Sequence, residues 1–333
     1  MIRAALAAWL SFASIAVAQG AMAVPELTLQ GEYPVEGMRG GNLSGLALCA
    51  GELWAVSDRD DDQVYRMDRT EAVWQSRPLN FQAPAAPDMG LPWSIVLRAT
   101  AAGLIRGGSL DFEGIACDDQ QRLYLVSEAK ASVLRVAPDG EAQWLPLPAG
   151  MVAEARQHGL LHHFNAIFEG LAITPDGQRL WLAAEREQRG LLGLRLGADG
   201  WACGQPDGTP CVLLSEGGSE EVPPPMRVGL SYAKDFSDLA YFKGKLFTLE
   251  RNAYKLCRRN AETAAVERCW SFAEAGLQPS KRYEKPYGLT EALALDDEGA
   301  WVGTDNNDWV RADGEQRPVV WRFAAPAGGW EAP

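Results

Sequence analysis

The feature that most restricts how this chain can fold is a unit that recurs five times. It opens with Leu43-Ser-Gly-Leu-Ala-Leu-Cys49 leading to Leu53-Trp-Ala-Val-Ser-Asp58, and returns as Phe112-Glu-Gly-Ile-Ala-Cys117 leading to Leu123-Tyr-Leu-Val-Ser-Glu128. Phe168-Glu-Gly-Leu-Ala-Ile-Thr174 with Leu180-Trp-Leu-Ala-Ala-Glu185 follows, then Phe236-Ser-Asp-Leu-Ala-Tyr241 with Leu246-Phe-Thr-Leu-Glu250, and last Leu289-Thr-Glu-Ala-Leu-Ala-Leu295 with Ala300-Trp-Val-Gly-Thr-Asp305. Each unit reads as two short apolar strands joined by a polar turn, with Asp-Gly and Pro-Asp-Gly supplying turn chemistry. A third strand follows in most units, and fourth strands fit at 142–145 and 212–214. Three to four strands per unit, roughly 50–70 residues apart, match propeller blades. A sixth blade is expected from the two ends, Leu27-Thr-Leu-Gln-Gly-Glu-Tyr33 and Val319-Val-Trp-Arg-Phe323, which would pair and remove open sheet edges. The expected fold is therefore all-β, a six-bladed β-propeller closed by its N- and C-terminal strands. Five visible repeats leave five or seven blades open.

The first 23 residues are set apart. Arg3 is the only charge before Glu26, an apolar run covers 4–17, and small-x-small sites end it, the pattern of a cleaved signal peptide. Residues 24–333 then form one propeller domain, expected to be a monomer in the periplasm or secreted. Hydrophobic residues make up 47% and charged ones 23%, which is globular composition. A net charge of −13 argues against nucleic-acid binding, which needs a basic footprint, but is compatible with cations. All six cysteines follow the leader. Fifteen pairings are possible for six cysteines. Cys203 with Cys211 flank a loop, Cys257 with Cys269 flank a hairpin turn, and Cys49 with Cys117 hold near-equivalent places in successive repeats. Those three disulfides are expected.

The first strand of a propeller blade lines the central channel. The polar residue ahead of its apolar run reads Ser44, Glu113, Glu169, Asp238 (after the aligned Ser237) and Glu291, and the second strand ends in Asp58, Glu128, Glu185, Glu250 or Asp305. Like charges about 4 Å apart repel by about 4 kcal/mol at an effective dielectric of 20. Protonation, a hard cation such as calcium, another metal, or an arginine belt could compensate. Arg59, Arg186 and Arg251 each directly follow an acidic position and suit either a belt or the binding of an anionic substrate.

The units quoted above, Phe168-Glu-Gly-Leu-Ala-Ile-Thr-Pro-Asp-Gly177 in particular, resemble the phytase-like propeller family, whose bacterial members are labelled esterase-like activity of phytase. The resemblance implies six blades, bacterial export, and ester or phosphate-ester hydrolysis with calcium. More distantly, Glu-Gly-Ile/Leu at an inner strand resembles lactonase-type propellers. That likeness implies Glu113, Glu169, Glu291, Asp305 and Asn306 as calcium ligands, although the Asn-Asp pairs of those enzymes are missing.

Two functional readings follow. In the first, the chain is a calcium-assisted hydrolase of a small ester or phosphate ester, with Glu113 and Glu169 catalytic and His163, from the only histidine-bearing loop (158–163), as a proton carrier. In the second it is a non-catalytic binding or scaffold propeller, held by a structural ion or an Arg–carboxylate belt. No Gly-x-Ser-x-Gly elbow, P-loop or His-Glu-x-x-His is present. Lys281, Arg282 and Lys285, with Arg227 and Lys234, could meet an anionic substrate.

Overall fold

Four-stranded antiparallel meanders account for nearly all of the strands in the computed structural model, which describes residues 24–203, 210–226, 229, 231–285 and 287–332. The expected leader and Arg227 lie outside the described residues. Blade one comprises Gly45–Cys49, Glu52–Val56, Gln63–Asp68 and Trp74–Asn80. Blade two comprises Phe112–Cys117, Leu123–Ser127, Ser132–Val136 and Ala142–Trp144. Blade three runs Phe168–Ile173, Arg179–Ala184 and Gln188–Gly197, whose outer edge pairs with both Gly200–Cys203 and Val212–Gly217. Blade four comprises Asp238–Phe242, Lys245–Glu250, Lys255–Asn260 and Val266–Ser271.

The last blade corrects the expected count. Thr290–Leu295, Gly299–Thr304 and Val319–Ala324 take Leu29–Glu36 as their fourth strand, so the two chain ends complete the fifth repeat and build no sixth. Closure by N- and C-terminal strands holds; six blades do not. The inner strands pack in sequence around the ring, and that of blade five returns to that of blade one. Each blade interface has its own apolar cluster: Val56 with Ile115 between one and two, Val133 with Leu182 between two and three, Trp181 with Leu246 between three and four, Leu249 with Phe323 between four and five, and Trp74 with Val320 between five and one. Val35 and Glu36 also pair in parallel with Trp74 and Gln75, which joins blades five and one into one eight-stranded sheet.

The stretch between the first two repeats supplies one outer strand, Trp74–Asn80. The rest holds the helix Trp93–Arg106, which buries Ile95 and Ala99 and leaves Trp93, Leu97, Leu104 and Ile105 exposed. All three expected disulfides are present, Cys49–Cys117, Cys203–Cys211 and Cys257–Cys269. The first ties neighbouring inner strands together, and the last joins residues directly opposite in register.

Backbone crowding at the axis explains the small residues in the repeat. A Cβ on Gly45 would lie 2.9 Å from Gly114 Cα, and one on Gly114 would lie 3.0 Å from Gly170 Cα. On Gly170 it would meet Leu239 N at 2.5 Å and Asp238 Cα at 2.8 Å. Gly170→Ala should therefore destabilise the protein by about 1–3 kcal/mol through overpacking against backbone. Gly150→Ala, which faces open space, should change stability by less than about 0.5 kcal/mol. Paired urea titrations check this; equal midpoints would refute the axial contact.

Candidate functional site

Three of the five inner strands break register at their acidic residue. The ladder shifts between Phe112 and Gly114, between Phe168 and Gly170, and between Thr290 and Ala292, so Glu113, Glu169 and Glu291 each occupy a bulge. A bulge re-aims the side chain that it carries. In blades one and four the aligned residue is a serine and the ladder is regular. Ser44 Oγ accepts the Asp58 backbone N–H at 3.1 Å, and Ser237 Oγ donates to the Leu249 carbonyl at 3.4 Å. Asp238 takes the glycine position instead. Its carboxylate is fully buried and accepts N–H groups from Leu239 at 2.7 Å and from Leu293 on the next inner strand at 2.6 Å. It is tied up by the backbone near the axis.

The carboxylates do not form one axial ring. They gather between blades, in two groups whose oxygens lie within 4.8 Å of one another: Asp58, Asp111 and Glu113, and Glu128, Glu169 and Glu185. Each group joins the inner-strand Glu of one blade to the acid that ends the second strand of the blade before it. Asp111 was missed in the sequence reading. The signal was there, since Asp precedes the aromatic of the inner strand in both Asp111-Phe112 and Asp235-Phe236. Asp111 is also held at φ 55°, a conformation that non-glycine residues seldom adopt.

Charge compensation is lopsided. On the side of blades three to five, arginines take the carboxylates. Arg251 reaches Glu185 at 2.5 Å, Asp235 at 2.9 Å and also Glu291. Arg186 pairs with Glu185, and Glu250 is held by Arg259 at 2.8 Å and Arg189 at 3.2 Å. Burial works against the Arg251 charge, yet Asp235 and Glu291 more than offset it and raise its pKa. On the side of blades one and two, the group Asp58, Asp111 and Glu113 makes one ion pair, from Arg106 to Asp111 at 4.0 Å, and Arg59 acts on Asp58 only through space while pairing with Asp308. Asn42 Nδ2 donates to Asp58 at 3.0 Å, while the buried Asn42 Oδ1 has no partner. Burial, then Glu169 and Asp111, push the Glu113 carboxyl well above its ordinary range. Burial pushes Asp111 up to about 6, against the pull of Arg106. Glu169 is pushed up to about 8 by burial and by Glu291.

The expected ligands and binding residues thus separate. Glu113 and Glu169 fall in different groups. Glu291 is occupied by Arg251 and lies within hydrogen-bonding reach of Asp305, whose Oδ1 accepts the Asn307 N–H at 2.9 Å. Asn306 donates to the carbonyls of Trp309 and Gln316, at 3.0 and 2.7 Å, so its amide braces a loop. Arg59 turns outward to Asp308 at 3.1 Å. Arg186 and Arg251 line a cavity of ≈ 460 Å³ with Asn165, Asn252, Glu291 and Asn307. His163 is not brought to the carboxylates. It lines a separate pocket with His162, Ser94 and Arg98 beside the helix Trp93–Arg106.

Arg251→Gln would leave Glu185, Asp235 and Glu291 buried with their shared cation removed. The expected loss is about 3–5 kcal/mol, the usual cost of breaking a buried pair from one side. Urea denaturation of the variant checks it, and a change below about 1 kcal/mol would show that the belt is not structural.

Comparison with known proteins adds a family and a set of distant shapes. No curated protein matches the chain. Among solved structures, glutaminyl cyclase of Myxococcus xanthus has 11% identity over 90% of this chain and 97% of its own, with TM-score 0.48. The PQQ-bound aldose sugar dehydrogenase of Streptomyces coelicolor has 14% identity over 91% and 97%, with TM-score 0.40. Virginiamycin B lyase of Staphylococcus aureus has 10% identity over 90% and 100%, with TM-score 0.40. Likenesses this remote say nothing about chemistry. The family model is more specific: it matches residues 39–199, which span blades one and two and the first three strands of blade three, and with them Glu113, Glu169 and the two carboxylate groups. Residues 39–199 match the model of the phytase-like family, described as esterase-like activity of phytase.

Proposed function

We propose that this propeller is a calcium-dependent hydrolase of carboxylic or phosphoric esters, with the cation held between blades one and two by Asp58, Asp111 and Glu113. The supporting observation is the packing of three buried carboxylates, with oxygens inside 4.8 Å, that share a single ion pair, Arg106 to Asp111 at 4.0 Å. Calcium binds oxygen ligands at about 2.3–2.6 Å, so oxygens across such a site stand roughly 4.6–5.2 Å apart. The donor set, all hard oxygen with the Asn42 carbonyl oxygen free nearby, suits calcium better than a nitrogen- or sulfur-seeking metal. This set replaces the sequence-based one: Glu113 remains, Asp58 and Asp111 join it, Glu169 falls in the second carboxylate group, and Glu291, Asp305 and Asn306 have other partners.

When bound, the ion would polarise the ester or phosphoryl oxygen. Arg186, a third exposed and lining the cavity, would orient an anionic substrate, with Asn165, Asn252 and Asn307 offering further hydrogen bonds. Glu169 packs with Glu128 and Glu185 and feels the charges of Glu291, Arg251 and Arg186, all three of which line the cavity. Pushed up to about 8, the Glu169 carboxyl holds a proton at neutral pH and can give it to the leaving oxygen as a general acid. Export to the periplasm or beyond fits the three disulfides and the lack, among the described residues, of a helix able to cross a membrane.

One observation favours the second reading, a non-catalytic binding or scaffold propeller. Arg251 alone ties together carboxylates from blades three, four and five, as a structural belt would. The two readings separate on one experiment. Calcium added to chelator-stripped protein at about 100 times its dissociation constant should stabilise it by about 2.7 kcal/mol, which raises the melting temperature by about 5 °C. Glu113→Gln and Asp58→Asn should abolish that rise and any calcium-dependent ester turnover. No shift and no turnover in wild type would leave the scaffold reading.

A further inference from the structure

Lys281, Arg282 and Lys285, grouped by sequence as a basic run, line a second cavity of ≈ 210 Å³. It opens where blade five meets the loops of blade four, and its wall is apolar and aromatic: Met226, Tyr254, Leu277, Leu289 and Trp321. Lys281 is committed to Glu32 at 3.0 Å. The other two cations are not neutralised: among the described residues no carboxylate pairs with Arg282 or Lys285. Arg282 Nε donates only to the Leu277 carbonyl at 2.7 Å, and Lys285 Nζ stands 3.6 Å from the Trp309 ring centroid and 5.6 Å from that of Tyr287. Thr290 also lines the cavity. It is 1% exposed, and its hydroxyl has no hydrogen-bond partner.

On a chain with net charge −13, two cations without acidic partners beside an apolar cavity run against the general electrostatic trend. A buried hydroxyl without a partner is costly to leave unfilled. Apolar walls with a few converging polar groups are the ordinary composition of a small-molecule site. At about 30 Å³ per water, the cavity has the volume of some seven waters, which suits a ligand the size of a substituted benzene ring. The geometry points to a binding site for a small aromatic anion, a carboxylate or phosphonate, with its ring against Tyr254, Leu277 and Trp321 and its charged head met by Arg282, Lys285 and the Thr290 hydroxyl. The site adjoins the ≈ 460 Å³ cavity, since Tyr287 lines both. It requires neither a metal nor turnover, so it stands apart from the hydrolase proposal.

Calorimetric titration of the whole protein with benzoate and phenylphosphonate, which is not an ester, tests it. Inorganic phosphate supplies charge without a ring, and benzyl alcohol a ring without charge. Both aromatic anions should bind saturably at one site, with the two partial probes weaker by about tenfold, the loss expected for one charge-assisted contact. Arg282→Gln and Lys285→Gln should each weaken binding by about as much while melting like wild type. Glu113→Gln should leave binding unchanged, whatever it does to calcium or to ester turnover. The proposal is overturned by the absence of saturable binding of either aromatic anion, by equal binding of inorganic phosphate, by indifference to both basic-residue variants, or by loss of binding in Glu113→Gln, which would put the anion at the carboxylate centre.

Discussion

Everything in this molecule hangs on how closely five inner strands approach one another. Gly45 lies against Gly114, Gly114 against Gly170, and Gly170 against the backbone of Asp238 and Leu239. With backbones this near, the carboxyls at the strand entrances have no room on the axis. The bulges at Glu113, Glu169 and Glu291 turn them aside into the seams between blades, where each meets the acid closing the second strand of a neighbour or a bridging arginine. Where the serines stand, the ladder stays regular and the side chain serves the backbone.

That arrangement divides the acidic face electrostatically. Arg186, Arg189, Arg251 and Arg259 neutralise the half formed by blades three to five. The half formed by blades one and two keeps its carboxyls close together and buried, with Arg106 and Arg59 too weak to offset burial and mutual repulsion, which raise their proton affinity. A protein can hold such a group by protonation or by a cation. The arginine half supplies rigidity and, at Arg186, a place for negative charge. The matched family region, 39–199, contains the bare half and reaches into the arginine half at Glu185 and Arg186.

Much of this was readable before any coordinates. The repeat located every inner strand, and the cysteine spacings paired all six cysteines, because hairpins and equivalent blade positions bring such residues together whatever the loops do. Blade number was misjudged for a simple reason: two terminal strands pair equally well as a new blade or as the missing strands of an old one. Only the pairing of Val319–Ala324 with Gly299–Thr304 decides which. Asp111 lies outside the repeated pattern, which marks the residue after the aromatic and not the one before it. His163 was overvalued because closeness in sequence to an inner strand does not fix the direction in which a loop turns.

The sequence by itself determined the blade architecture, the positions of acidic residues at strand entrances and exits, and the small residues that let strands crowd together. These are local patterns, set by strand periodicity and turn chemistry. Only the tertiary structure decided which carboxyl faces an arginine and which faces another carboxyl. Arg59 and Arg251 both follow an acid at the end of a second strand, yet one turns out to Asp308 and the other is buried among three carboxylates. Charge pairing depends on distances across blade seams, between residues 40 to 66 positions apart in the chain for two of the Arg251 contacts, and no local pattern encodes those distances.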